Sequence, residues 1–306
     1  MNKTKIVFFG THNFACTILQ GLFDNSGIEV MSVVTQPDKP VGRKKILTPP
    51  PVKILAESLG LSVEQPESLN NYELEIKNWD LGVTAQYGLL IPKSILDLPR
   101  RGMINVHTSL LPKYRGASPI QTAIINGEIE TGVTIMMMDI GLDTGPILLQ
   151  KSAIIAKDAT YLTLEEKLAK IGSQALLEAI PEYMDGELQP YPQDESLATY
   201  CRQFTRDDGR IDWSRSASDI LRQYRGLTPW PGMWSTLRDK RLKLLDIKVS
   251  DKKIDSGKIM IMENKMFVGC ESGSIEVVQL QLEGKKAMDV ANFLKGNAHV
   301  DGSVLE

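Results

Sequence analysis

Apolar residues are spaced in two ways along this chain, and the spacing changes near residue 186. In the first part, solid apolar runs alternate with stretches of helical period. "TKIVFFG" is an apolar run stopped by glycine, the pattern of a strand buried on both faces. "NFACTILQGLFDNSG" follows, with Phe14, Ile18, Leu19 and Leu22 on one helical face and Asn25-Ser26-Gly27 as its stop. "IEVMSVVTQ" reads as a second strand and "PDKPVGRKKILTPP" as a turn-rich basic loop. "PVKILAESLG" reads as a helix, with Pro51 suited to its first turn and Gly60 to its end. "LGVTAQYG", "GMINVH", "GVTIMMMD" and "PILLQKSAII" continue as strands, with a short helix near "PKSILDL" and a long amphipathic one in "TYLTLEEKLAKIGSQALLEAIPEYMDG". This alternation predicts an α/β fold, a doubly wound and mostly parallel sheet, over residues 1–185.

Residues 186–205, "GELQPYPQDESLATYCRQFT", carry two prolines and no period, and read as a linker. A helix and a Pro/Trp corner follow in "DGRIDWSRSASDILRQYRGLTPWPGMWS". The short runs "RLKLLDIKV", "GKIMIME", "KMFVGCESG" and "SIEVVQLQLEG" then come between closely spaced turns. They predict a small antiparallel β-barrel or sandwich over residues 206–306.

Composition adds three constraints. With 306 residues, 42% hydrophobic and 24% charged, the chain suits two globular domains rather than a disordered polymer. The net charge of −3 divides into +2 for residues 206–306 and −5 for the rest, so any polyanion is better received by the second part. Cys16, Cys201 and Cys270 lie far apart, with no metal-ligand spacing, and His12 and His299 form no ligand set with His107. Reduced thiols, no resident metal and a cytoplasmic location are expected. The opening apolar run is too short for a signal peptide, and no run is long enough to span a membrane.

The candidate chemistry sits in "INVHTSLLPKYRGASPIQ", which begins on a strand and leaves it at its carboxyl end. Ligand sites of open α/β sheets form at that edge. Asn105 and His107 are two residues apart, so on a strand they share a face. Asp143 lies in the Gly-rich loop "DIGLDTGPIL", between two apolar strands. A histidine beside a carboxamide and a carboxylate suits acyl transfer to an amine. The imidazole moves a proton, the amide N–H meets an oxyanion, and the carboxylate orients the ring. The same residues also fit a capped strand end and an Asx-turn. "FFGTHNFA" lacks the full dinucleotide fingerprint and reads as a tight strand-to-helix turn. "KPVGRKK" gathers Lys39, Arg43, Lys44 and Lys45, either as a solvated loop or as a phosphate contact.

Together, "INVHTSLLPKYRGASPIQ" and "GVTIMMMDIGLDTGPIL" resemble the folate-dependent formyltransferase superfamily, whose pattern is Asn-x-His-x-Ser-Leu-Leu-Pro, Arg-Gly, then Asp-Thr-Gly. The basic loop, "PWPGMWS" and "LQLEGKK" extend the likeness across residues 6 to about 296, toward the branch that acts on initiator tRNA. The resemblance implies a Rossmann-like catalytic domain and an OB-like barrel that contacts tRNA. It implies Asn105, His107 and Asp143 as catalytic residues, and Ser109, Leu110, Leu111 and Pro112 as the folate-binding loop. Arg43, Lys44 and Lys45 would contact tRNA. The implied reaction passes the formyl group of 10-formyltetrahydrofolate, a co-substrate, to the α-amine of methionine on initiator tRNA, in a protein expected to be monomeric. A formyltransferase for a small amine would share the three catalytic residues, and a non-catalytic RNA-binding protein would not need them. Where the family pattern has Gly-Thr-Pro-acid-Phe-Ala, this chain has His12 and Asn13, and Thr108 stands beside His107 in place of Gly or Ala.

Overall fold

The computed structural model describes residues 3–42, 44–74 and 76–306, so the candidate Arg43 lies outside the described residues. Two compact units divide the chain. One runs through Pro119 and takes in Ile129–Ile155 and Thr163–Cys201; the other gathers Ile120–Glu128, Ala156–Leu162 and Arg202–Glu306.

The first unit opens with β1 (Thr4–Gly10), α1 (Asn13–Asp24) and β2 (Ile28–Val34). A hairpin of β3 (Lys39–Val41) and β4 (Ile46–Thr48) leads to α2 (Pro51–Ser58) and β5 (Val63–Glu64). Next come β6 (Leu81–Ala85), α3 (Lys93–Leu96), β7 (Met103–His107), β8 (Arg115–Gly116) and α4 (Pro119–Ile125). The long hairpin β9 (Glu130–Met137) and β10 (Ile147–Ile154) precedes α5 (Tyr161–Asp185) and the short β11 (Tyr200–Cys201).

Seven strands make the main sheet in the order β10-β9-β7-β6-β1-β2-β5. The pairs among β1, β2, β5, β6 and β7 are parallel, while β9 runs antiparallel to both β7 and β10. The solid apolar runs are the central strands: Ile6, Val7, Phe8 and Phe9 of β1 and Leu81 and Val83 of β6 are fully buried. On α1, Phe14, Ile18 and Leu22 recur every fourth residue and are buried, as a face laid on a sheet requires.

The segment expected as a linker is not one. Residues through Cys201 belong to the first unit, and β11 pairs in parallel with β8. The backbone of Tyr191 exchanges two hydrogen bonds with Ile147 on β10, at 2.8 and 2.9 Å. The polar, aperiodic sequence supplies hydrogen bonds to loops rather than solvation, which hydrophobic periodicity does not register. The basic loop also differs from expectation: it is a hairpin, turned through Gly42 and Lys45 at positive φ.

The second unit packs α6 (Ala217–Leu227) with β12 (Met233–Leu237), β13 (Lys240–Ser250), β14 (Ile259–Met262), β15 (Lys265–Gly269), β16 (Ser274–Leu282), β17 (Met288–Asp289) and α7 (Val290–Lys295). Ser216 caps α6 by accepting from Asp219 N at 3.1 Å. Ile220 and Leu227 of α6 join Met233, Leu242, Leu244, Val277, Leu280 and Phe293 in one core. The sheet is antiparallel in the order β12-β13-β16-β15-β14, with β17 paired to β16. The expected closed barrel is not formed by these strands, because the outer ones, β12 and β14, do not pair with each other. Residues 302–306 bond to both: Glu306 exchanges two hydrogen bonds with Thr236, Ser303 O accepts from Ile259 N, and Leu305 N donates to Gly257 O.

Candidate active site

Asn105 and His107 sit on β7, between β6 and β9, at the carboxyl end of the parallel strands. His107 is only 6% exposed. Its Nε2 lies 3.0 Å from the Tyr114 carbonyl oxygen. A carbonyl only accepts, so Nε2 carries the proton in this arrangement. Nδ1 is then the nitrogen that gains or loses a proton, and it faces Asp143 Oδ2 at 3.6 Å. The same oxygen accepts from Gly116 N at 2.8 Å. Among the described residues, neither the other carboxylate oxygen nor the Asn105 carboxamide is engaged in a hydrogen bond, so the amide N–H is available to a ligand.

Asp143 occupies the left-handed region, at φ +53°, which a short polar side chain such as aspartate tolerates in a turn. Gln193 donates to the carbonyls of Asp143 and Gly145, both at 2.8 Å. The Gln193 side-chain oxygen Oε1 accepts from Arg115 Nε at 3.1 Å and from a second Arg115 nitrogen at 2.8 Å. Arg115 is fully buried and donates further to both oxygens of Glu195, at 2.9 and 2.7 Å, and to the Tyr200 hydroxyl at 3.5 Å. Its donors are spent inside the protein, so the Arg-Gly of the sequence motif is a scaffold rather than a ligand contact. The bond to Arg115 holds the Glu195 carboxyl below its ordinary range, and the reciprocal bond pushes the guanidinium up. Gly116 has φ +114°, and a Cβ there would lie 2.2 Å from the Cys201 carbonyl oxygen, so only glycine lets β8 and β11 meet beneath the carboxylate.

The folate-binding candidates divide. Ser109 is buried, and its hydroxyl donates to the Lys113 carbonyl at 2.5 Å. Leu111 is buried in a small cluster with Met136 and Ile147. Leu110 and Pro112 are half-buried. Thr134 braces the loop by donating to Ser109 O at 2.7 Å and accepting from Leu111 N at 3.1 Å; Gln150 donates to Leu111 O at 3.0 Å. Ser109 and Leu111 therefore set the shape of the loop, and Leu110 and Pro112 are its half-buried side chains.

The basic candidates lie elsewhere. Lys44 and Lys45 are exposed on the β3–β4 hairpin with Val41, Ile46 and Leu47, while Lys39 is bonded to Gln36 at its base. In the second unit, the Arg241 guanidinium lies 4.1 Å above the Trp234 ring and that of Arg210 at 6.0 Å, a cluster of two exposed cations on a half-buried aromatic ring. Among the described residues, no group of three His, Cys, Asp or Glu is placed to hold a metal ion, and no helix is long and apolar enough to cross a membrane.

Gln193, Arg115, Glu195 and the Tyr114 carbonyl were not among the sequence candidates. Arg115 was visible as part of a motif, but its partners lie in the segment without periodicity, about eighty residues away in sequence.

A Rossmann-like sheet with a histidine and a carboxylate at its carboxyl edge is the layout of an acyl-transfer enzyme, and comparison with known proteins narrows it. Residues 4–180 match the family model described as formyl transferase, and residues 203–298 that of the formyl transferase C-terminal domain; the chain belongs to the formyl transferase family. Over its whole length it is similar to methionyl-tRNA formyltransferases. It is 44% identical to that of Citrifermentans bemidjiense, covering 100% of this chain and 97% of the relative. It is 42% identical to that of Geobacter metallireducens, covering 97% and 96%. Solved structures share the fold at lower identity. A sugar 3N-formyl transferase, WlaRD, solved with dTDP and 5-N-formyl-THF, aligns at TM-score 0.68 and 21% identity, covering 94% of this chain and all of that one. An N-formyltransferase from Helicobacter canadensis, in complex with folinic acid and dTDP-3-aminofucose, aligns at TM-score 0.66 and 18% identity, covering 90% and 98%.

Proposed function

We propose that this enzyme transfers the formyl group of 10-formyltetrahydrofolate to the α-amine of methionine on initiator tRNA, with Asn105, His107 and Asp143 as its catalytic residues. The observation that carries the reading is the His107 Nδ1–Asp143 pair beside the unengaged Asn105 carboxamide. The amine attacks the formyl carbon, and the carbonyl oxygen gains negative charge. The Asn105 N–H donates to that charge, and the positive charge of protonated His107 opposes it through space. Asp143 faces the imidazolium and assists removal of the proton from the attacking nitrogen. The carbon–nitrogen bond to the folate then breaks, and the proton taken from the attacking nitrogen passes by way of the His107–Asp143 pair to the departing nitrogen. Leu110 and Pro112 line the folate side. Folate fits here as a co-substrate held by the shape of the loop, since Arg115 has no donor to spare.

Two surfaces support tRNA rather than a small amine as the acceptor. Lys44 and Lys45 stand exposed on the hairpin, and Arg241 and Arg210 flank Trp234 in the more basic second part. The bonds from residues 302–306 to β12 and β14 support a small OB-like barrel closed by that segment. The enzyme acts as a cytoplasmic monomer, in the compartment where aminoacylated tRNA is made.

The test supplies purified protein and 10-formyltetrahydrofolate with Met-tRNA, an amino sugar nucleotide and an amine-bearing purine precursor in one reaction, and reads the products by mass. The formyl group is expected on Met-tRNA. A formyl group on either small amine, with Met-tRNA unchanged, contradicts the reading.

A further inference from the structure

We propose that Gln193 is a positioning residue for the transfer: its carboxamide, oriented by Arg115, holds the Asp143 turn so that the carboxylate faces His107. The inference rests on the formyl-transfer reading above and adds to it a residue from the segment between the two family matches, which end at 180 and resume at 203.

Two features of the geometry lead to it. The first is that the orientation of the amide is determined. Its oxygen faces two nitrogens of a guanidinium, which can only donate, and its nitrogen faces two carbonyls, which can only accept. A flipped amide would set donors against donors and acceptors against acceptors at all four contacts. Arg115 cannot follow such a flip, because it is fully buried and its other nitrogens are bound to Glu195 and Tyr200.

The second feature is what the amide holds. Asp143 has a positive φ, which aspartate tolerates in a turn but does not favour, and its neighbours hold that turn. Gln193 grips that turn at the carbonyls of residues 143 and 145, while Gly116 N grips the carboxylate from the other side at 2.8 Å. The His107–Asp143 separation of 3.6 Å depends on both grips. Displacing a reacting group by about 1 Å costs roughly a hundredfold in rate.

Gln193→Glu separates this role from simple support of the fold. A glutamate still accepts from Arg115, and gains an ion pair, but it cannot donate to the two carbonyls. Its kcat is expected to fall by about ten- to a hundredfold, with KM for folate and for Met-tRNA within about twofold of wild type. Gln193→Leu, which loses both sets of bonds, is expected to fall at least as far. Amide exchange at Gly116 is the second readout, because its N–H is covered by the Asp143 carboxylate. Exchange there is expected to speed up by at least about tenfold in both variants. Wild-type kcat in Gln193→Glu, or unchanged Gly116 exchange in both variants, overturns the proposal. Wild-type turnover in the same assay tests the underlying reading by itself, and its absence overturns both.

Discussion

At the scale of single residues, the site is built from groups that each have one task left to do. His107 Nε2 is bound to the Tyr114 carbonyl, which leaves Nδ1 for chemistry. Asp143 Oδ2 is bound by Gly116 N and faces that nitrogen. Asn105 has its amide free at the edge of the sheet. Removing the amide with Asn105→Ala is therefore expected to lower kcat by roughly 10²- to 10³-fold, the usual cost of losing one oxyanion donor, and to leave the affinity for Met-tRNA nearly unchanged. A loss confined to KM, with kcat intact, would assign Asn105 to substrate binding instead. The pairing of Asn105 with His107 was legible in the sequence because a strand period of two puts both on one face. Asp143 followed from its Gly-rich loop between two strands. The shape of the 109–112 loop was not legible: Ser109 and Leu111 turn inward because Thr134 and Gln150, on β9 and β10, bind the loop from within, and no local pattern announces such partners.

At the scale of elements, the parallel strands and α1 could be read from apolar runs and helical period, and they fall where expected. The antiparallel direction of β9 and the strap formed by residues 191–201 could not. Both depend on contacts distant in sequence, and the strap's residues are polar because their work is to bind backbone and guanidinium. The Arg115–Glu195 pair in that strap predicts a pH dependence. Arg115 holds the Glu195 carboxyl below its ordinary value of 4.5, so its folded value lies below its unfolded one. The pair's contribution to stability is then present above about pH 4.5 and is lost as the pH falls through the folded value. The difference in Tm between wild type and Glu195→Gln is expected to be full at neutral pH and to shrink as the pH drops below 4.5. Because Glu195 is exposed, added salt should also reduce it. A difference that is constant from neutral to acid pH contradicts the assignment.

At the scale of the whole molecule, reaction and acceptor are assigned to different places. The sheet edge of the first unit carries the His107–Asp143 pair proposed for the transfer, while the hairpin and the Trp234 cluster carry cations. The division of charge between the two parts of the chain suits the Trp234 cluster, which lies in the more basic part, but not the hairpin, whose lysines stand in the part of net charge −5. The boundary itself was less legible. Ile120–Glu128 and Ala156–Leu162 belong with the second unit although they lie within the first stretch of sequence, since compactness follows packing rather than chain order. The central claim is that the His107–Asp143 pair performs the transfer. Its most direct test is single-turnover formylation of Met-tRNA by Asp143→Asn, a variant of the same shape that can still accept from Gly116 N. The account predicts a rate lower by roughly 10²- to 10⁴-fold, with folate and Met-tRNA binding and Tm close to wild type; a near-wild-type rate would contradict it.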